Sequence, residues 1–203
     1  MSILRITPQG VESAGESLRP VIEALNGRRA DLARVPIGAI LALFDDFARR
    51  LVRDERTRAL EGAMFLSAWL GRHNLEQLLE LNLNGNAAYL DGFVARGRNY
   101  LAAKPQGLVA MWMAGNVATL PMFSLVPALL AKNVCLVKLA LPDPAGMDRL
   151  LAVLAGSEAQ GLRGAELLEA AAVVWFDYRN HALNEQMSLA ADAKIVCGAE
   201  QAR

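Results

Sequence analysis

Between Lys104 and Leu141 the chain reads KPQGLVAMWMAGNVATLPMFSLVPALLAKNVCLVKLAL. The run Gly107–Met113 is short and apolar, as a buried strand is. Gly115-Asn116 interrupts it. Thr119–Lys132 comes next with helical spacing: Thr119 is placed to cap the helix, and Pro121 falls in the first turn, where its missing N–H costs nothing. Pro127 lies inside the helix and is expected to kink it. Asn133 is expected to close it in a left-handed conformation. Val134–Leu139 is the next strand and carries Lys138 near its end. Strand, loop, helix and strand in this order make a βαβ unit, which requires a parallel sheet covered by helices.

The nearest impostor is a membrane helix. Pro105–Ala131 is 27 residues without a charge, long enough to cross a bilayer. It also contains Gly107, Gly115-Asn116, Pro121 and Pro127, and its periodicity changes partway. A lipid-exposed helix would leave backbone groups unsatisfied around Gly115-Asn116-Val117, so no membrane span is expected.

Downstream, the pattern continues with a helix over Ala145–Leu154, a short helix over Gly164–Ala170, a strand over Ala171–Phe176, a helix over His181–Leu189 and a strand over Ala193–Cys197. Uniformly apolar strands alternating with helices imply a parallel sheet buried on both faces. Upstream, residues from about Leu18 to Ala103 read as helical. In Pro36–Arg53, Ile37, Ile40, Leu41, Phe44, Phe47 and Leu51 recur at three- and four-residue steps opposite Asp45, Asp46, Arg49 and Arg50. Arg56–Leu70, Asn74–Leu83 and Ala87–Ala102 are the further helices expected there. This half reads as a helical layer packed on itself and on the neighbouring domain. The organisation is therefore a helical region, 1–103, and an α/β region, 104–203.

Lys+Arg and Asp+Glu balance at 21 each, with 54% hydrophobic residues. The chain is globular, and no excess of positive charge or aromatic stripe points to nucleic acid. Cys135 and Cys197 sit in apolar runs without metal-ligand spacing. Neither a disulfide framework nor a metal site is expected, and a reducing cytoplasm is the natural compartment.

Ligands of an open parallel sheet sit beyond the carboxyl ends of its strands. Three such ends carry chemistry. Met113-Ala114-Gly115-Asn116 combines a glycine that admits close approach with a carboxamide able to donate to a developing oxyanion. Lys138 is a strand-end cation suited to a ribose hydroxyl or a phosphate, or to solvent. Gly198-Ala199 begins a loop able to face a pyrophosphate. Neither G-x-G-x-x-G nor a P-loop is present. Cys135 reads as inert core. Cys197 is better placed at a strand end, but no base stands beside it; His73 belongs to the helical half and His181 to a helix surface.

The segment from Pro105 to Lys138 resembles the first βαβ unit of the aldehyde dehydrogenase superfamily. Gly-Asn-Val, a downstream Pro and Ser, and the Leu-Leu-x-x-Asn before the second strand are similar to the acyl-CoA reductases of the bacterial bioluminescence type. The likeness is specific over Lys104–Leu141 and looser to Arg203. It implies a Rossmann-like α/β fold and NADPH-dependent reduction of an acyl thioester, from acyl-CoA or an acyl carrier, to a fatty aldehyde. By position, Asn116 resembles the amide that holds the thioester-derived oxygen. Met113, Ala114 and Gly115 resemble backbone along the cofactor, Lys138 the lysine on the adenosine ribose, and Gly198-Ala199 the Gly-Ser loop at the pyrophosphate.

Two departures matter. Leu139-Ala140-Leu141 stands where Pro-Ser-Glu is usual. The acid that would accept from the ribose hydroxyls is thus absent, which favours NADPH and leaves NADH as the alternative. The family's nucleophilic cysteine lies well downstream of the Gly-Ser loop. The expectation is the cofactor-binding part of such a reductase, truncated before the catalytic domain, inactive by itself, and able to form homo- or hetero-oligomers. The competing reading is a non-catalytic nucleotide-binding or protein-interaction module derived from this fold.

Overall fold

A computed structural model describes residues 2–115, 117–142 and 146–198. The chain opens with a hairpin of β1 (Leu4–Thr7) and β2 (Gly10–Ser13). Six helices come after it: α1 (Arg19–Gly27), α2 (Arg29–Arg34), α3 (Ile37–Arg53), α4 (Glu55–Arg58), α5 (Ala63–Trp69) and α6 (Arg72–Asn82). A 3-10 turn, Ala87–Leu90, leads to a second hairpin, β3 (Val94–Arg96) and β4 (Asn99–Leu101). Then come β5 (Leu108–Trp112), α7 (Leu120–Leu130), β6 (Val134–Lys138) and α8 (Met147–Ala155). A small hairpin, β7 (Glu158–Ala159) and β8 (Leu162–Arg163), precedes α9 (Gly164–Leu168). The last elements are β9 (Ala171–Trp175), α10 (His181–Ala190) and β10 (Ala193–Val196).

Six strands form one sheet in the order β10-β5-β6-β9-β1-β2. The first four are parallel; β1 and β2 are antiparallel additions. Their composition explains their places. In β5, β6 and β9 nearly every residue is buried, as in strands covered on both faces, whereas β10 alternates half-buried and exposed residues at the sheet edge. From β5 the chain steps to β6 and β9 in one direction, then returns to the other side of β5 as β10. Right-handed crossovers therefore put α7 and α10 on opposite faces. On one face α3 packs against α7 and α8. On the other, α1 covers β6 and β9, and α10 lies on β5, tied to α1 where Gln186 Oε1 accepts from Leu18 N–H at 3.1 Å.

The amphipathic stripe of α3 behaves as its spacing predicts: Ile37, Ile40, Leu41, Phe44, Phe47 and Leu51 are buried. Asp45–Arg49 and Asp46–Arg50 pair along its outer side. Burying a side chain such as Phe44 or Phe47 contributes about 1.5–3 kcal/mol. These residues belong to the same continuous core as Leu108, Leu136 and Val173 of the sheet.

Several local expectations are corrected. The N-terminal β1–β2 hairpin, for which the sequence predicts no element, completes the sheet beside β9. The helix expected over Arg56–Leu70 is two helices broken at Gly62, whose φ is +78°. The helix expected over Ala87–Ala102 is the 3-10 turn and the β3–β4 hairpin, because Gly97 (φ +61°) reverses the chain and the flanking Val94 and Tyr100 favour extended backbone. Thr119 occupies the N-cap of α7 without capping it; its hydroxyl donates to Glu61 O at 3.4 Å. The left-handed residue after α7 is Lys132 (φ +58°), not Asn133. The ammonium of Lys132 reaches back to Asp91 Oδ1 at 2.8 Å and Ala33 O at 3.1 Å, contacts that hold this conformation.

Candidate cofactor-binding site

The sheet order reverses between β5 and β10, and this is where an open α/β sheet leaves a crevice beyond the strand ends. Backbone hydrogen bonds draw the four carboxyl ends together. Cys197 N–H donates to Trp112 O at 2.8 Å, Met113 N–H to Lys138 O at 3.0 Å, and Leu139 N–H to Val174 O at 2.8 Å. Met113, Ala114, Gly115, Lys138 and Gly198 therefore share one rim across three neighbouring strands. Asn116 and Ala199 lie outside the described residues.

Each of these residues has a definite setting. Met113 is buried, Ala114 half-buried and Gly115 exposed. A Cβ on Gly115 would stand 3.2 Å from Ala140 Cβ and 3.1 Å from Leu141 Cγ, so the loops after β5 and β6 meet here and the glycine keeps the space between them. Gly198 is exposed just beyond β10.

Lys138 is 6% exposed; its side chain does not run out to solvent. The aliphatic strand around it explains why: β6 lies between β5 and β9, in register with Trp112 on one side and Val174 on the other. Its Nζ donates to Leu139 O at 3.4 Å and stands 5.0 Å from the centroid of the Phe176 ring, a cation–π contact. Burial lowers its proton affinity below that of an ordinary lysine, and the charge of Asp177 opposes that shift. An ammonium has three donors; among the described residues, Leu139 O is the hydrogen-bond acceptor of Lys138 Nζ.

Phe176 and Asp177 are not among the residues that the sequence singles out, although the strand-end rule points to the end of β9 as directly as to the others. Asn184 also escapes the sequence reading. Its Oδ1 accepts from Trp112 Nε1 at 2.9 Å, and its Nδ2 donates to Tyr178 O at 3.0 Å and Asn180 O at 3.1 Å. One helical side chain thereby fixes the end of β5 against the turn after β9.

The cysteines differ as their positions suggest. Cys135 is fully buried, and burial pushes its thiol far above the ordinary range. Cys197 is half-buried at the rim. Among the described residues, no cluster of His, Cys, Asp and Glu could hold a metal ion. Also among them, no helix is long and apolar enough to cross a membrane. Three surface depressions, of about 430, 710 and 510 Å³, lie away from the rim, on α2 and α9, on α1 and α10, and on α3, α4 and α8.

This arrangement is an α/β fold with a mostly parallel sheet covered by helices, shared with solved dehydrogenases. It aligns with 3,6-anhydro-L-galactose dehydrogenase in complex with NAP at a TM-score of 0.63 and 14% identity, over 100% of this chain and 44% of that one. It also aligns with the glyceraldehyde-3-phosphate dehydrogenase GapN from Methanocaldococcus jannaschii DSM 2661 complexed with NADP, at a TM-score of 0.52 and 11% identity, over 97% of this chain and 49% of that one. At these identities the likeness shows the fold. Residues 32–203 match the family acyl-CoA reductase (LuxC), and the chain belongs to that family. A stretch of 60 residues is 37% identical to the long-chain acyl-protein thioester reductase of Aliivibrio fischeri, covering 30% of this chain and 12% of that protein. The chain thus spans less than half the length of these relatives.

Proposed function

We propose that the chain forms the cofactor-binding part of an NADPH-dependent reductase that converts an acyl thioester, on coenzyme A or an acyl carrier, to an aldehyde in a reducing cytoplasm. The observation that carries this reading is Lys138: a buried ammonium at the carboxyl end of a central parallel strand, bonded among the described residues to Leu139 O alone, on the rim where Gly115 lets the loops after β5 and β6 meet. A dinucleotide suits such a rim, because its ribose hydroxyls and phosphates accept from a cation at a strand end.

When bound, the reduced nicotinamide supplies the hydride. The chain's own residues bind and orient. Lys138 donates to the adenosine ribose or its 2′-phosphate. The backbone at Ala114-Gly115 allows close approach, and Gly198-Ala199 faces the pyrophosphate. Asn116 donates its carboxamide N–H to the oxygen of the thioester carbonyl as negative charge develops there. A cysteine thiolate would take the acyl group and release the carrier as its thiolate. Hydride delivered to the carbonyl carbon would then let the carbon–sulfur bond break, giving aldehyde and restoring the thiolate. Cys135 is buried and held protonated, and Cys197 has no described base beside it, so the proposal assigns the nucleophile to neither and expects no turnover from this chain alone.

Titrating the 203-residue chain with NADPH, monitored by nucleotide fluorescence, tests the binding half of the proposal. Saturable binding that falls at least about tenfold in Lys138→Met is expected. Reduction of acyl-CoA by the chain alone, abolished by Cys197→Ser, would overturn the assignment of the nucleophile.

A further inference from the structure

The residue after Phe176 stands at the carboxyl end of β9, beside Lys138. Register places Val174 of β9 beside Lys138 of β6, so the end of β9 runs past the buried ammonium. Phe176 is 1% exposed and underlies that ammonium. Asp177 comes next and is half-buried. Its Oδ1 accepts from Arg179 N–H at 2.8 Å, a turn that holds the carboxylate at the rim. A carboxylate offers about four acceptor positions, and this bond occupies one. Asp177 is also the charge that acts on Lys138 among the described residues. The guanidinium of Arg179 is turned to Tyr178, 5.3 Å from the ring centroid and 3.1 Å from its hydroxyl. On the other side of Lys138, the loop after β6 carries no acid at Leu139–Pro142, and its Asp143 lies outside the described residues. In nucleotide-binding α/β folds a carboxylate beside the adenosine ribose selects the 2′-hydroxyl, and a cation accommodates the 2′-phosphate.

We propose that Asp177 sets which nicotinamide dinucleotide this rim accepts: its carboxylate accepts from the adenosine-ribose 2′-hydroxyl of NADH and repels the 2′-phosphate of NADPH, opposing Lys138, which attracts it. The inference rests on the cofactor-binding reading above and deepens it. On this proposal the neighbouring strand offers an acid where position 141 has a leucine, and NADH is admitted alongside NADPH.

The test compares dissociation constants for NADPH and for NADH, measured by titration on the 203-residue chain, on Asp177→Asn and on Asp177→Glu. Asparagine keeps an acceptor for Arg179 N–H, so the turn is preserved, and an unchanged melting temperature checks this. The expected result is a shift of the NADPH-to-NADH preference towards NADPH by at least about fivefold in Asp177→Asn, the scale of one partly exposed charge interaction. Asp177→Glu is expected to stay near the wild-type ratio. Binding of both cofactors with a ratio unmoved in Asp177→Asn would overturn this inference and leave the proposed function standing. Binding of neither by the wild-type chain would overturn both.

Discussion

The side-chain oxygen of Asn133 accepts a hydrogen bond from the backbone N–H of Gly107, at 3.1 Å. The same oxygen accepts from Gln106 N–H at 2.7 Å, and the Asn133 Nδ2 donates to Ala128 O at 3.3 Å and Ala131 O at 3.4 Å. One buried carboxamide therefore joins the end of α7 to the start of β5, so the two ends of the βαβ unit are held in register by the loop between them. Asn133→Ala leaves Gln106 and Gly107 donors without their acceptor and is expected to destabilise the chain by about 2–4 kcal/mol. A urea midpoint unchanged from wild type would contradict this.

Gly164 sits under the carbonyl of Leu154, and a Cβ there would overlap that backbone oxygen. Its N–H also donates to Ser157 O at 2.8 Å, closing the β7–β8 hairpin onto α8. Because the obstacle is backbone, no side-chain rotation relieves it. Gly164→Ala is expected to cost about 3 kcal/mol or more, read as a lowered melting temperature. Gly161→Ala is the control: it has open space around it but a φ of +77°, so it is expected to cost about 1 kcal/mol.

Asp192 ties the other end of the sheet. Its Oδ2 accepts from Leu108 N–H at 2.8 Å and from the Arg29 guanidinium at 2.6 Å. The Leu108 hydrogen bond holds its pKa below the usual carboxylate range, burial opposes this, and the charge and hydrogen bond of Arg29 add to it. A depressed folded-state pKa means the unfolded chain binds the proton more tightly. The stabilisation is thus complete above the unfolded value, about 3.9, and is lost as pH falls through the lower folded value. Asp192→Asn is expected to flatten the acid limb of the stability–pH profile below about pH 4. An acid limb as steep as wild type would contradict the assignment.

The two thiols are expected to separate cleanly. In the native chain an alkylating reagent should modify Cys197 and spare Cys135, whose fully buried thiol is held protonated. In denaturant both should react at similar rates. Mass spectrometry of the labelled peptides reads the outcome; native labelling of Cys135 at the Cys197 rate would contradict the burial.

The alternation of strands and helices after Lys104 is legible because β5, β6 and β9 are apolar runs of strand length and α7 carries its own punctuation, Pro121 at the start and Lys132-Asn133 at the end. The roles inside that punctuation are not. Asn is the expected left-handed residue because its side chain tolerates that conformation, yet Lys132 adopts it, since Asp91, far upstream, accepts from its ammonium. The β1–β2 hairpin is invisible in the sequence for a related reason. LRIT alternates apolar and polar residues but is only four residues long, GVES is mostly polar, and β1 is held as a strand because β9 offers it an edge.

The candidate site divides along the same line. Residue type and position after each strand placed Met113, Ala114, Gly115, Lys138 and Gly198 at the ends of their strands, because the polarity of a parallel strand sends its carboxyl end to one known side of the sheet. Which strands become neighbours depends on packing between segments distant in the chain, and only the tertiary structure decided it. It brought β10 beside β5, closed the β6 and β9 ends around Lys138, set Phe176 beneath that ammonium and left the Asp177 carboxylate at its side. The apolar runs determined that a buried parallel sheet would form. The contacts between β5, β6 and β9, made by segments distant in the chain, determined that the lysine ending β6 would be buried beside Phe176 and not held in solvent.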